Sequence, residues 1–176
     1  MTPSLDRLDQ RVDDAIGQIR GNPVADRVFY AASAVGDFSL IWHVVNVLLV
    51  LVGVRSRRQA IRFALCIGVE SLVVNQGVKR LFRRARPPSG QDHPHHVRTP
   101  STSSFPSGHA SSAVVAAGLL SDDHPALRPL FWLLAATVAI SRPYVRAHHA
   151  SDIAGGALTG AAILTLARCG WPSRTG

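Results

Sequence analysis

Residues 38–54 read FSLIWHVVNVLLVLVGV, a run of 17 positions without one Asp, Glu, Lys or Arg. A helix needs about 20 mostly apolar residues, and at least about 17, to cross the hydrocarbon core of a bilayer. Four further stretches approach this length, namely residues 63–78 (broken only by Glu70), 99–121, 129–141 and 153–167. The pattern predicts an all-α, polytopic membrane bundle of about five transmembrane helices.

The composition agrees with a single domain that meets an anionic partner. The chain has 176 residues, 47% hydrophobic and 17% charged. Its two cysteines, Cys66 and Cys169, exclude a disulfide framework and a Cys-rich zinc module. Nineteen Lys and Arg against eleven Asp and Glu give a net charge of +8, which indicates nucleic acid, anionic lipid or phosphate as the partner. Lys79 is the only lysine of the chain.

The first 36 residues follow a different pattern, that of an amphipathic helix, a break and a second short helix. Apolar residues recur on one helical face at Leu5, Leu8, Val12, Ile16 and Ile19. Charged residues fall on the opposite face at Asp6, Arg7, Asp9, Asp13 and Asp14. Gly21-Asn22-Pro23 predicts the break, and the second helix then runs to Gly36. We expect residues 1–36 to lie in the membrane interface and residues 37–170 to form the transmembrane domain; a helix packed on the bundle or on a partner protein is the alternative.

Three polar clusters fall at helix ends that an up-and-down bundle brings to one membrane face. The first is KRLFRRARP, residues 79–87, at the end of the second span. Lys79 and Arg86 are seven residues apart, about two helical turns, so both can face one point. An ammonium and a guanidinium group suit phosphate oxygens. The remaining arginines of this run fit a basic flank that binds lipid headgroups, namely Arg80, Arg83 and Arg84.

The second cluster opens the third span, where Pro106 and the hydroxyls of residues 101–104 mark a helix start. Ser107 and Gly108 are expected to present free backbone N–H groups and a hydroxyl at the positive end of that helix, which makes a natural anion site. His109 follows one residue later.

In the third cluster, His148 and Asp152 are spaced i, i+4 and are expected to share a helix face. A carboxylate bonded to one imidazole nitrogen leaves the other nitrogen as base, nucleophile or ligand. Arg142 lies six residues upstream and can reach the same point. His149 faces about 100° away on a helix and is expected to be a bystander.

The three clusters together resemble the signature of the type-2 phosphatidic acid phosphatase superfamily, which includes bacterial acid phosphatases and vanadium haloperoxidases. The matching strings are K-x6-R-P (Lys79, Arg86-Pro87), P-S-G-H (residues 106–109) and S-R-x5-H-x3-D (Ser141-Arg142, His148, Asp152). The resemblance covers roughly residues 60–165, and every key position is filled.

The resemblance implies a phosphatase that needs neither metal nor cofactor. His148 would attack phosphorus and form a phosphohistidine, while Asp152 holds and charges the imidazole. His109 would protonate the leaving oxygen and later activate water. The phosphate oxygens would be held by Lys79, Arg86, Ser107, Gly108 and Arg142.

The resemblance also implies a substrate anchored in the bilayer and a site in the bacterial cell membrane. A polyprenyl carrier of envelope synthesis, such as polyprenyl diphosphate or decaprenylphosphoryl phosphoribose, comes first. Phosphatidylglycerol phosphate and phosphatidic acid are the alternatives, as is a non-catalytic phospholipid-binding membrane protein. The basic hairpin tip at residues 55–58 predicts that this end is cytoplasmic and that the active site is extracytoplasmic. The oligomeric state is left open, as is whether Glu70 pairs with an arginine or lines the cavity for the lipid tail.

Other functions fit the sequence less well. A serine hydrolase built on Ser107, His148 and Asp152 lacks the nucleophile-elbow motif and leaves the basic residues without a role. A nucleic-acid binder is disfavoured because the cations occupy span ends and motif positions rather than one stripe with aromatic residues. Vanadium haloperoxidases are usually soluble and much longer, so vanadate is expected to inhibit this chain. A metal site in the polar loop would lack a carboxylate or Cys partner for its histidines, His93, His95 and His96.

Overall fold

The computed structural model describes residues 3–88 and 102–170, and the regular structure in those ranges is entirely helical. The α-helices are α1 (Pro3–Gly17), α2 (Pro23–Gly36), α3 (Leu40–Leu51), α4 (Arg57–Leu72), α5 (Gly108–Asp123), α6 (Arg128–Tyr144) and α7 (Ala150–Gly170). Short 3-10 segments lie at Asp37–Ser39, Val78–Leu81 and Pro125–Leu127, and a π-helical segment lies at Val73–Gly77. The predicted all-α class is confirmed.

Helix α5 is the centre of the bundle, with 11 of its 16 residues buried. Most of these are Ala, Ser or Gly, which lets neighbouring helices approach closely. Helix α7 has glycines where it contacts α5. A Cβ at Gly160 would lie 2.5 Å from the Ser111 carbonyl oxygen, and a Cβ at Gly156 would collide with the Ser107 carbonyl. Gly156 and Gly160 therefore allow α7 to pack closely against α5.

Within the described residues, three helical stretches are long and apolar enough to cross a membrane: Pro23–Leu51, Arg57–Leu81 and Ala150–Gly170. Large apolar side chains on them face outward, among them Leu51, Leu72 and Leu158, which are 74%, 65% and 73% exposed. Such surfaces suit lipid contact. Helices α5 and α6 have 16 and 17 residues, short of the roughly 20 that a spanning helix uses, so the count of five spans is not confirmed.

The first of these stretches joins α2 to α3 through a kink. Phe38 and Ser39 have φ values of +54° and +59°, which turn the chain between the two helices. The predicted break before α2 is confirmed: the Asn22 side chain accepts hydrogen bonds from the backbone N–H groups of Val24 (3.0 Å) and Ala25 (3.1 Å) and caps the helix. The interfacial placement of residues 1–36 stays a prediction.

One residue of helix α1, Asp9, departs from the predicted charged face, whose members Asp6, Arg7 and Asp14 are exposed. Asp9 was expected on the outward polar face, yet it is only 6% exposed, whereas Leu8 beside it is 50% exposed. The reason is a set of strong partners inside the bundle, because the Asp9 carboxylate accepts hydrogen bonds from Arg84 and Ser151. A carboxylate with such partners can be buried where an isolated one cannot.

The basic hairpin tip carries less free charge than expected. Arg55 pairs with Asp123 at 2.9 Å, and the two side chains are only 1% and 4% exposed. This charge is therefore compensated inside the protein. Arg57 and Arg58 remain exposed and carry the positive charge of the tip.

Candidate active site

A cavity of about 370 Å³ lies where the end of the α4 stretch and the end of α6 meet the start of α5. It is lined by members of all three polar clusters, namely Lys79, Arg86, Gly108, His109, Arg142 and His148. The clusters therefore meet at one cavity, as the order of the helices along the chain predicts.

Lys79 and Arg86 reach this cavity by a different route from the predicted one. They were expected two turns apart on one helix, but the π-helical segment Val73–Gly77 and the 3-10 segment Val78–Leu81 end the α4 stretch, and residues 82–88 are not helical. The Lys79 ammonium lies beside the start of α5, since its Nζ is 3.8 Å from where a Cβ of Gly108 would stand. Both cations line the cavity, although the expectation that they lie two turns apart on one helix is wrong.

The geometry around His148 fixes its tautomer. Arg86 Nη1 lies 3.2 Å from His148 Nε2, and a guanidinium can only donate, so Nε2 carries the lone pair. The ring proton then sits on Nδ1, which faces Ser104 Oγ at 3.4 Å. Burial, against the opposing effect of Asp152, lowers the pKa of His148 to about 3. At neutral pH the imidazole is uncharged, with its lone pair on the side of Arg86 and the cavity.

Asp152 is fully buried and accepts three strong hydrogen bonds. Its Oδ1 accepts from Arg84 Nη1 at 2.5 Å, and its Oδ2 accepts from Ser104 Oγ at 2.5 Å and from the His149 N–H at 2.8 Å. Its Oδ2 lies 3.6 Å from His148 Nδ1. The expectation of a shared helix face is wrong, because His148 precedes α7 and Asp152 sits in the first turn of that helix.

Ser104 is a site residue that the sequence did not single out beyond marking a helix start. It is fully buried and lies between the Asp152 carboxylate and the His148 Nδ1 nitrogen. The Ser104 hydroxyl donates a hydrogen bond to the Asp152 carboxylate. The same oxygen lies 3.4 Å from His148 Nδ1 and can accept a hydrogen bond from its N–H. Ser104 therefore connects the carboxylate to the imidazole across the 3.6 Å gap.

Ser107 and Gly108 behave differently from each other. The N–H of Ser107 was expected to be free for an anion, but it donates to the Asp152 carbonyl oxygen at 3.0 Å. The Ser107 hydroxyl is buried and accepts from the Ala110 N–H at 3.4 Å, as a helix cap does. Gly108 lines the cavity at the positive end of the α5 dipole. This arrangement disfavours Ser107 as a hydrolase nucleophile.

Helix α2 and the 3-10 segment after it supply partners for Arg142 and His109 that the sequence did not reveal. Arg142 is 1% exposed, and its Nη1 donates to Ser33 Oγ. His109 Nε2 lies 3.3 Å from Asp37 Oδ1 and 3.4 Å from the Ser33 carbonyl oxygen. These contacts join residues far apart in the chain. In the sequence, Asp37 stands before an apolar run and indicates only the boundary of a span.

Arg84 does not belong to a headgroup-binding flank as predicted. Its side chain is 12% exposed and turns inward, donating to Asp9 Oδ2 and Asp152 Oδ1 at 2.5 Å each. Its main chain is fixed as well, because its carbonyl accepts from the Ser104 N–H at 3.0 Å. Arg84 is therefore part of the interior of the site.

One wall of the cavity is polar rather than cationic. It is formed by Asp37, Glu70, Ser71, Asn75 and Gln76. Glu70 is 1% exposed, and its Oε1 finds no hydrogen-bond partner within the described residues. Glu70 lines the same cavity as Lys79 and Arg142. The histidines of the predicted loop, His93, His95 and His96, lie outside the described residues; within residues 3–88 and 102–170, no group of three potential metal ligands converges.

Comparison with known proteins extends this description. Residues 59–175, well over half of the chain, match a family model described as the PAP2 superfamily. The decaprenylphosphoryl-5-phosphoribose phosphatase of Mycobacterium tuberculosis is 42% identical over 89 residues, which cover 49% of this chain and 47% of that protein. The chain thus spans about half the length of this relative. The protein of the same description from Mycolicibacterium smegmatis is 33% identical over 129 residues, which cover 72% of this chain and 68% of the relative.

Two crystal structures show the same fold. The transmembrane PAP2 type phosphatidylglycerolphosphate phosphatase from Bacillus subtilis superposes with a TM-score of 0.73 at 24% identity, over 99% of this chain and 90% of the other. LpxE from Aquifex aeolicus gives a TM-score of 0.70 at 23% identity, over 91% and 94% of the two chains. At these identities the likeness concerns the arrangement of the helices alone, and both α5 and α6 have counterparts in a membrane protein.

Proposed function

Because this chain belongs to the PAP2 superfamily, we propose that it is a membrane lipid phosphate phosphatase that works through a phosphohistidine on His148 and needs no metal. The observation that carries the proposal is the uncharged His148 imidazole, whose Nε2 lone pair lies at a cavity lined by Lys79, Arg86 and Arg142. A neutral nitrogen among fixed cations is the combination needed to attack a phosphate dianion.

The first half of the reaction forms a bond from His148 Nε2 to phosphorus and breaks the bond from phosphorus to the leaving oxygen. Arg86, which donates to Nε2 in the structure, turns to the phosphate oxygens together with Lys79 and Arg142. The leaving oxygen takes a proton from His109. Positive charge that develops on the imidazole is stabilised by Asp152, through the Ser104 hydroxyl and across the 3.6 Å gap.

The second half returns the enzyme to its starting state. His109 accepts a proton from water, whose oxygen attacks phosphorus, and the bond from phosphorus to Nε2 breaks. The electron pair returns to His148, and inorganic phosphate leaves. Burial lowers the pKa of His109, and Asp37, which lies 3.3 Å from the His109 Nε2, opposes that effect and favours the protonated ring.

For the substrate we propose a lipid whose scissile phosphate is attached to a sugar, with decaprenylphosphoryl-5-phosphoribose as the first compound to test. The polar wall supports this choice, because Glu70, Asn75 and Gln76 offer acceptors and donors for hydroxyl groups beside the phosphate. The names of the mycobacterial relatives point the same way. In polyprenyl diphosphate, phosphatidylglycerol phosphate and phosphatidic acid, the group beside the scissile phosphate carries fewer hydroxyls than a ribose or none.

Phosphate release by the purified protein in detergent tests both proposals. The four lipids are offered in parallel, each with and without EDTA. We expect release to survive EDTA and kcat/KM to be highest for the phosphoribose lipid, by about tenfold or more, because leaving the buried Glu70 carboxylate of this wall without a hydroxyl partner costs about 1–3 kcal/mol. Orthovanadate is expected to inhibit as a phosphate analogue. Loss of activity with EDTA would contradict the metal-independent scheme, and folded protein that binds these lipids without releasing phosphate would favour a binding protein.

The protein is an integral membrane protein, and we propose that it lies in the bacterial cell membrane with its active site on the extracytoplasmic side. The support is the exposed pair Arg57 and Arg58 at the hairpin tip, at the opposite end of the bundle from the cavity.

Single cysteines placed at the two ends test this orientation. In a background with Cys66→Ser and Cys169→Ser, Arg57→Cys is expected to react with a membrane-impermeant maleimide only after cells are permeabilised. Gln18→Cys, at an exposed position after α1, is the control and is expected to react in intact cells. The reverse pattern would place the active site in the cytoplasm.

A further inference from the structure

Asp9 on α1 is the N-terminal end of a buried chain of hydrogen bonds that leads to the reaction centre. Its carboxylate accepts from Arg84 Nη2 at 2.5 Å, from the Ser151 N–H at 2.8 Å and from Ser151 Oγ at 2.7 Å. Arg84 continues the chain, since its Nη1 donates to Asp152 Oδ1 at 2.5 Å. Asp9 is 142 residues away from Ser151 in sequence, so the contact depends on how α1 docks on the start of α7.

The charge balance of this chain gives Asp9 a defined role. Arg84 carries one positive charge and shares it between two buried carboxylates, Asp9 and Asp152. While Asp9 holds one nitrogen of the guanidinium, Asp152 keeps negative charge for Ser104 and His148. Without Asp9, both nitrogens of Arg84 would pair with Asp152, because a buried guanidinium seeks a charged partner. The carboxylate would then be neutralised and drawn away from the imidazole.

We propose that Asp9 is a positioning residue that acts through Arg84 to hold Asp152 in place behind His148, so that α1 is part of the catalytic apparatus. The proposal rests on the proposed function for its reaction but adds a residue from outside the family signature. Burial alone would raise the pKa of Asp9, yet the bonds from Ser151 and Arg84 outweigh it and leave the pKa below its usual value. Asp9 therefore carries its charge at neutral pH.

Asp9→Asn tests the proposal because it removes the charge and keeps the shape. We expect kcat to fall about 10- to 100-fold, the usual cost of losing a partner that orients a reacting ligand. KM is expected to stay within about twofold, because the cations that bind phosphate are untouched. Asp14→Asn is the matched control, an exposed carboxylate on the same helix, and is expected to match the wild type.

Binding of two inorganic anions supplies a readout that does not need turnover. Orthovanadate can bond to His148 Nε2 and reports its position, whereas inorganic phosphate reports only the surrounding cations. In Asp9→Asn we expect the affinity for vanadate to fall about tenfold or more and the affinity for phosphate to stay unchanged. Arg84→Lys, which keeps one charge but cannot donate to both carboxylates from a planar fork, is expected to behave like Asp9→Asn and serves if that variant does not fold.

The outcomes separate the two proposals. Unchanged kcat and vanadate affinity in folded Asp9→Asn would overturn the positioning role and leave the phosphatase proposal standing. A parallel loss of vanadate and phosphate affinity would show a merely structural role and would also overturn it. A wild-type protein that releases phosphate from no lipid, while its vanadate affinity still depends on Asp9, would overturn the proposed function and support the positioning role.

Discussion

His148→Ala is expected to lower kcat by about 10⁴-fold or more, the cost of removing a covalent nucleophile from a site whose other groups remain. The side chain is 3% exposed, and its Nε2 lone pair has no substitute at the same point of the cavity. Because burial lowers the pKa of His148 to about 3, the imidazole stays unprotonated well below neutral pH. Loss of activity on mild acidification must therefore come from another group.

The measurement for His148 combines phosphate release with capture of the intermediate. Protein is mixed with labelled substrate and quenched in base, because phosphohistidine is labile in acid. We expect labelled protein with the wild type and none with His148→Ala. His149→Ala is the control, since it changes the adjacent histidine, whose main-chain N–H still donates to Asp152. Turnover by His148→Ala, or a label that remains in that variant, would rule out the phosphohistidine scheme.

His109→Asn is expected to lower kcat on lipid substrates by about 10²- to 10⁴-fold, the range that general acid–base catalysis contributes. A lipid or sugar alkoxide is a poor leaving group and needs the proton of His109. The 4-nitrophenolate of 4-nitrophenyl phosphate leaves without one. With that substrate the variant should form the phosphohistidine at a near-normal rate but hydrolyse it slowly, since water still lacks its base.

A rapid-mixing experiment detects this difference as a burst of 4-nitrophenol followed by a slow steady rate. The variant is expected to show a burst of about one equivalent per site, and the phosphohistidine should accumulate. His43→Asn is the control, because His43 packs against Phe63 in the apolar run, with ring centroids 6.3 Å apart. Equal slowing of both substrates without a burst would assign His109 to binding rather than to proton transfer.

The sequence predicted that the three polar clusters meet, because each sits at the end of an apolar segment and the order of such segments determines which ends meet. It could not predict Asp9, Ser33 or Asp37, whose contacts with the site span 72 or more residues. The amphipathic pattern wrongly predicted that Asp9 faces outward, because such a pattern reflects only the polarity of each residue and not the partners that other segments contribute. The buried pair of Arg55 and Asp123 escaped for the same reason.

Local geometry was the second limit. The spacing of Lys79 and Arg86 was interpreted as two turns of one helix, and that of His148 and Asp152 as one turn, but both pairs straddle the end of a helix. The side chains meet through the loops that hold them. The spacing of the motif residues in this chain therefore reflects the length of backbone that separates them and does not indicate a shared helical face.

The π-helical segment at Val73–Gly77 has a consequence for how this chain tolerates insertions and deletions. A π turn holds one residue more than an α turn, and each extra residue rotates everything after it by about 100°. Removing one residue there would leave the mean hydropathy and the signature strings intact, yet would swing the ammonium of Lys79 out of the cavity toward the acyl chains. The position of Lys79 in the cavity therefore depends on the register of this helix to within a single residue.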